Sequence, residues 1–350
     1  MDKTTIQILD TISSNIGDSL SINELTNRMK SKYGSAYYAN VYEKLQDLKK
    51  KGLLNLKPIG RSSTINLNFA NYLLIDTLSD MEIEKKIEFL SKRKSLFSFL
   101  TEMDKSLSNK CYIKSISAID PLKNTKLNRM DFLSLVNETP DYANQTIELY
   151  KITLNLQRKY NLKINNLILD KKDFFSLLTS DEINSVREAL SHQITLYNPQ
   201  AFWTQIKEVA QKSQIKTIQT ETKPLSISEL DLNFNLNRFG YREFGASILE
   251  GKKLCIEYIT TSLLLREEMR GIDAAAVILA KNSFNSNLLA FLSQKYEVSP
   301  RLLGILEVLH QTNPKSEVKN TIKILNAINI QELPADKESI IQKLELYNAL

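Results

Sequence analysis

Cysteine and histidine are almost absent from this chain. Cys111 and Cys255 stand far apart and outside any CxxC spacing, so neither a disulfide framework nor a zinc site is indicated. The two histidines, His192 and His310, cannot assemble a histidine-rich metal centre. Long apolar runs are also missing: none approaches the roughly twenty residues that a bilayer demands. The opening MDKTTIQILD has acidic and polar residues where a secretory signal carries a basic end and an apolar core. No membrane partner is therefore expected, and the cytoplasm is the default location. The single tryptophan, Trp203, falls in the helically spaced set Phe202, Trp203, Ile206 and Val209, which reads as core and not as a base-stacking platform.

What is present is ordinary for a folded protein. Hydrophobic residues make up 42% and charged residues 25% of 350, enough chain for about two or three cores. The net charge of +6 favours a polyanionic partner, and its placement matters more than its size.

The N-terminal stretch has the clearest pattern. Thr5, Ile6, Leu9, Ile12 and Ile16 recur at helical spacing up to Gly17. Ser21-Ile22-Asn23-Glu24 is a capping box that starts a second helix, with Leu25 and Met29 buried. A turn at Lys32-Tyr33-Gly34-Ser35 leads to a third helix, capped by Ser35, with Val41, Leu45 and Leu48 inward and Gly52 as its stop. A hairpin follows: Leu53 to Pro58, a tip at Ile59-Gly60-Arg61-Ser62-Ser63, then Thr64 to Asn68. From Ser21 to Asn68 the chain resembles the winged-helix regulators of archaea and bacteria, above all at Val41-Tyr42-Glu43-Lys44-Leu45 and Leu48-Lys49-Lys50-Lys51-Gly52-Leu53-Leu54. In such a module the third helix enters the DNA major groove and its N-terminal residues meet base edges. Ala39, Asn40 and Glu43 then face outward with Lys44 beside them, and the Asn40 amide suits the N6 and N7 of adenine. Lys49, Lys50, Lys57 and Arg61 are placed to meet phosphates, although a basic helix end is also favoured by the helix dipole alone.

Helical spacing from Asn71 to about Ser108 predicts a connector. Strands at Tyr112–Ile116, Asp131–Val136 and Ile164–Leu169, with a helix from about Ala143 to Tyr160, predict a mixed α and β domain. The segment from Lys163 to Trp203 resembles the back half of small polymerase-β-like nucleotidyltransferases. Those domains hold two metal ions through a Gly-Ser start and a Ser-Asp-x-Asp strand, whose carboxylates share one strand face. The resemblance sets Ser117-Ala118 at the Gly-Ser position and Asn128-Arg129-Met130-Asp131 at the carboxylate strand, so that only Asp131 remains as a vestigial metal position. Arg129 puts a fixed positive charge where the cation belongs. Asn165 and Asn166 fall where the third carboxylate is expected. The resemblance thus implies a pseudoenzyme with no cofactor, and Asp120 is the one alternative ligand. Arg187 and His192 also form an R-x4-H arrangement similar to that of HEPN ribonucleases.

Gln211 to Ser226, polar and aperiodic with Pro224, reads as a linker, and helical patterns fill the remainder. Arg270-Gly271-Ile272-Asp273 through Ala280-Lys281-Asn282, with Arg301-Leu302-Leu303-Gly304, resembles the helical tail of archaeal proteins that join a winged helix to a nucleotidyltransferase domain. The expected layout is α+β and multidomain: a winged helix at 1–70, a helical connector at 71–108, a degenerate nucleotidyltransferase-like domain at 109–210, a linker at 211–227 and an all-α domain at 228–350. The expected function is a DNA-binding transcriptional regulator with double-stranded DNA as partner, as a homodimer where the operator is symmetric. An active metal-dependent transferase with relocated ligands and an antitoxin-like protein-interaction module are the alternatives.

Overall fold

The computed structural model describes residues 1–59, 62–121, 129–242, 248 and 250–350. It is an α+β structure, mostly helical, with one small antiparallel sheet and one mixed sheet. Helix α1 (Lys3–Ser13) starts at Asp2, whose side chain accepts the Thr5 N–H. A short strand β1 (Leu20–Ser21) leads into α2 (Ile22–Tyr33). The capping box forms as expected: the Glu24 N–H donates to Ser21 Oγ at 3.2 Å and the Ser21 N–H to Glu24 Oε2 at 2.7 Å. Helix α3 (Tyr38–Lys50) begins later than the sequence suggests. Ser35 does not cap it; Tyr33 and Ala36 pack on the core, the chain stays out of the helix through Tyr37, and Tyr37 takes the cap position without a side-chain bond. Gly52, at φ +69°, ends the turn as expected. Strands β2 (Leu54–Ile59) and β3 (Ser62–Leu67) pair antiparallel, and β1 adds to the outer side of β3.

The helical connector consists of two helices, α4 (Leu74–Ser91) and α5 (Leu96–Leu107). The mixed sheet contains β4 (Ile113–Ile119), β5 (Arg129–Val136), β6 (Lys163–Leu169) and β7 (Gln193–Tyr197) in the order β6-β5-β4-β7. Helix α6 (Tyr142–Tyr160) carries the chain from β5 to its parallel neighbour β6, as a parallel pair requires. Helices α7 (Lys171–Thr179), α8 (Ser185–His192) and α9 (Pro199–Lys212) surround β7 in sequence. Seven more helices complete the described chain: α10 (Glu229–Arg238), α11 (Ile256–Arg266), α12 (Met269–Lys281), α13 (Ser286–Lys295), α14 (Ser299–Thr312), α15 (Ser316–Ala327) and α16 (Lys337–Leu346). No helix among the described residues is long and apolar enough to cross a membrane.

Alternation along the strands divides the interior into two cores. Leu133, Leu135, Leu167 and Leu169 join α7, α9 and the N-terminal helices, with Trp203 edge-on to Phe202 at 5.4 Å. Phe132, Val136, Ile164 and Ile168 face α5, α6 and the C-terminal helices. The aperiodic stretch after α9 is not loose. The Thr217 N–H donates to Ile16 O at 3.0 Å and Gln219 Nε2 to Ser14 O at 2.7 Å. Gly17, at φ +90°, lets this strap lie flat against the end of α1, since a Cβ there would stand 2.0 Å from Ile215 O.

A buried charge cluster joins the first helix to the sheet. Lys85 of α4 lies 2.8 Å from Asp10 Oδ1 and 2.9 Å from Glu82 Oε1, and Lys32 of α2 lies 2.6 Å from Asp10 Oδ2. The Tyr33 hydroxyl also donates to Asp10. Glu82 accepts the Thr195 N–H at 2.8 Å, and Lys85 donates to Gln193 O at 3.0 Å. Those last two bonds cover the outer edge of β7, an edge that would otherwise offer free backbone groups. Burial alone would raise the Asp10 carboxyl, yet Lys85 and Lys32 hold it far below the usual carboxylate range.

Lys85→Met leaves the buried Glu82 without a cation and Asp10 with Lys32 alone, and is expected to cost about 3–5 kcal/mol in urea unfolding, more than the triple replacement Asp10→Asn/Glu82→Gln/Lys85→Met. Asp10 has a depressed folded-state pKa, so its contribution is complete above the unfolded value of about 3.9 and fades as pH falls below it. Unfolding midpoints measured from neutral pH downwards should therefore drop below about pH 4 in the native protein and be flatter in Asp10→Asn.

Candidate nucleic-acid interface and the cleft at Asp131

Helix α3 packs on α1, α2 and β2 through Val41, Leu45 and Leu48, which are its buried residues. Ala39, Asn40, Glu43, Lys49 and Lys50 are exposed, as the helical period requires, and so is Lys57 on β2. Lys44 is half-buried and pairs with Asp2 at 3.3 Å, so its charge is partly committed within the module. Arg61 lies outside the described residues. Residues 1–70 hold ten Lys and Arg against six Asp and Glu, an excess of four out of the chain's six.

Three tyrosines complete this face and were not singled out by spacing. Tyr37, Tyr38 and Tyr42 are 72%, 49% and 45% exposed, and the Tyr38 and Tyr42 rings stack at 6.1 Å one helical turn apart. The signal was legible as Tyr37-Tyr38 beside the turn with Tyr42 four residues on. Large aromatics left in water on one turn supply flat surfaces and hydroxyl donors without charge.

The second concave feature is a cleft of about 310 Å³ beside the C-terminal end of β4 and the start of β5. Ladder registry sets Asp131 opposite Ile119 on one side and Asn165 on the other. Asp131 has no free oxygen to offer. Arg129 Nε reaches Oδ1 at 3.1 Å and Nη2 reaches Oδ2 at 3.3 Å. Asn165 Nδ2 donates to Oδ1 at 2.6 Å, and Lys295 of α13 stands 3.5 Å from Oδ2. Lys295 also pairs with Glu221 on the strap at 2.7 Å. Burial works against its charge, but Asp131 and Glu221 raise its pKa and keep it an ammonium. Ser117, at the position matched to a glycine-serine start, shares a buried bond with Thr195 at 3.1 Å.

These residues do not fit a divalent metal. Two cationic side chains and an amide donor converge on Asp131, and all three repel or exclude a cation; of the other carboxylates that line the cleft, Asp120 and Glu221, the latter is paired with Lys295. Among the described residues no group of three His, Cys, Asp or Glu is placed to hold a metal ion. Lys295 and Glu221 come from distant parts of the sequence and carry no local signal. Asn128, the first residue of the matched strand motif, lies outside the described residues.

The R-x4-H pair is otherwise engaged. Arg187 is buried and donates to Lys216 O, Ser180 O and Glu182 O at 2.8, 3.0 and 2.8 Å. His192 Nε2 lies 2.7 Å from Gln219 O. Both side chains are engaged in holding loops and the strap.

No family model matches the chain, and no curated protein and no solved structure matches it. Titration of the protein with Mn²⁺ followed by calorimetry is expected to give no saturable binding at the Asp131 cleft, and Arg129→Ala should not by itself create one because Lys295 remains.

Proposed function

We propose that the chain is a DNA-binding regulator whose N-terminal 70 residues act as a winged helix, and whose central sheet is a nucleotidyltransferase-like scaffold without metal-dependent transfer. One observation carries the DNA reading. The outward face of α3, next to its N-terminus, is fully available on a module that carries most of the chain's excess positive charge. Asn40 can bond both N6 and N7 of an adenine, and Lys49, Lys50 and Lys57 can approach phosphates. The charge reversal at Asp131 supports the non-catalytic reading of the centre, because an in-line phosphoryl displacement of the two-metal kind needs carboxylates where this chain has Arg129 and Asn165. A homodimer would suit an operator with two-fold symmetry.

Electrophoretic shifts on genomic fragments across a salt series test the proposal. Affinity should fall linearly on a log-log plot against salt, and Lys49→Ala/Lys50→Ala should reduce that slope by about 1–2. Asn40→Ala should cost about 1–3 kcal/mol on the preferred fragment and relax base preference, leaving non-specific binding unchanged. Absence of any salt-dependent shift would refute DNA binding and favour a protein partner for the tyrosine face.

A further inference from the structure

A second cavity, of about 280 Å³, lies between α6, the outer strand β6 and the ends of α13 to α15. Its polar wall is uncharged: Thr153, Gln157, Asn165, Asn166, Gln294 and Ser299. The charged side chains that border it, Lys163 and Glu297, pair with each other. In a chain whose side chains are one-quarter charged, such a lining selects for a ligand without net charge.

The amides are held in defined orientations. Gln157 Oε1 accepts the Ile164 N–H at 3.0 Å and Asn166 Oδ1 accepts the Ser134 hydroxyl at 2.8 Å, so each has its NH₂ end left to donate. Gln294 Nε2 donates to Ala290 O at 3.1 Å and Asn165 Nδ2 to Asp131, so each has its oxygen left to accept. Two donors and two acceptors therefore remain around the cavity, Asn165 and Asn166 leaving opposite faces of the outer strand, and each is fixed in place by a bond at its other end. Tyr150 is part of the same wall, is 1% exposed, and has a hydroxyl with no hydrogen-bond partner among the described residues. That hydroxyl is closed off from the cavity, which Tyr150 meets through its other atoms. Leu154, Ile164 and Ile330 supply the apolar remainder.

We propose that this cavity binds an uncharged heterocyclic base, free or as its nucleoside. Such a ligand has apolar faces for Leu154, Ile164 and Ile330 and an edge of alternating donors and acceptors, which Asn and Gln side chains match in pairs. A phosphate group finds no unpaired cation here, so a nucleotide is disfavoured. A sugar has hydroxyls for the amides but no flat apolar face for the aliphatic wall. The site is independent of the α3 surface and of the DNA reading.

Calorimetric titration of the full chain with adenine, guanine, cytosine and uracil, each as base and nucleoside, tests it, with AMP and glucose as comparisons. The expected result is saturable heat for at least one base or nucleoside, weaker for AMP and undetectable for glucose. Gln157→Met and Gln294→Met should each weaken that binding roughly three- to tenfold. Gln294→Met should leave the melting temperature of the ligand-free protein close to the native one, because Gln294 gives up a single bond to Ala290 O at the end of its helix. That result separates a binding role from a structural one. No heat with any base or nucleoside, glucose binding as tightly, or a Gln294→Met protein that binds like the native one would overturn the proposal.

Discussion

The ion cluster of Asp10, Lys85 and Glu82 is the constraint on which the arrangement of the molecule depends. It is almost dry, it unites residues of α1 and α4, and through Glu82 and Lys85 it supplies the partners of the β7 edge. A buried ion pair is a poor source of net stability, since desolvation offsets most of the attraction. Its value is positional. An apolar contact tolerates sliding by several ångströms, whereas three charges and two backbone groups are satisfied together in one register only. The apolar contacts of α4 with α9 and β7 then build on that register.

How much of this was legible in the sequence follows from how local each cause is. The capping box, the Gly52 stop, the hairpin and the burial of Trp203 depend on neighbours a few residues away, and each appears in its expected place. The break between α4 and α5 was missed because apolar spacing continues on both sides of it. Lys85 sits in the run Glu84-Lys85-Lys86, which reads as a solvated face, and Asp10 looks like one more polar position on an amphipathic helix. Their burial is decided by what packs over them, and composition holds no trace of that. For the candidate surfaces the same division applies: the outward residues of α3 follow from helical period, while the cleft at Asp131 gathers Lys295 and Glu221 from far along the chain.

The two cavities differ in kind although one hydrogen bond links their walls. At the cleft Asp131 is surrounded by the donors of Arg129, Asn165 and Lys295, which leave no room for a cation. At the second cavity the polar groups are neutral and half-answered. Asn165 lines the second cavity and gives its NH₂ end to Asp131, which lines the cleft. Strand β6 thus separates a self-neutralised charge network from an amide-lined space.

The strap that crosses the end of α1 also has a mechanical meaning. A tethered reading head can swivel until its helix meets a groove, at the cost of the entropy lost on arrest. Here Thr217 and Gln219 bond the backbone of the α1 terminus, and Gly17 admits no side chain between the two. Helix α3 is consequently presented at one bearing relative to the body. If α3 enters DNA as proposed, two such bodies joined by a symmetric contact would fix both the distance and the rotation between their α3 helices, so insertion of half a turn of duplex between two half-sites would set them on opposite faces of the DNA.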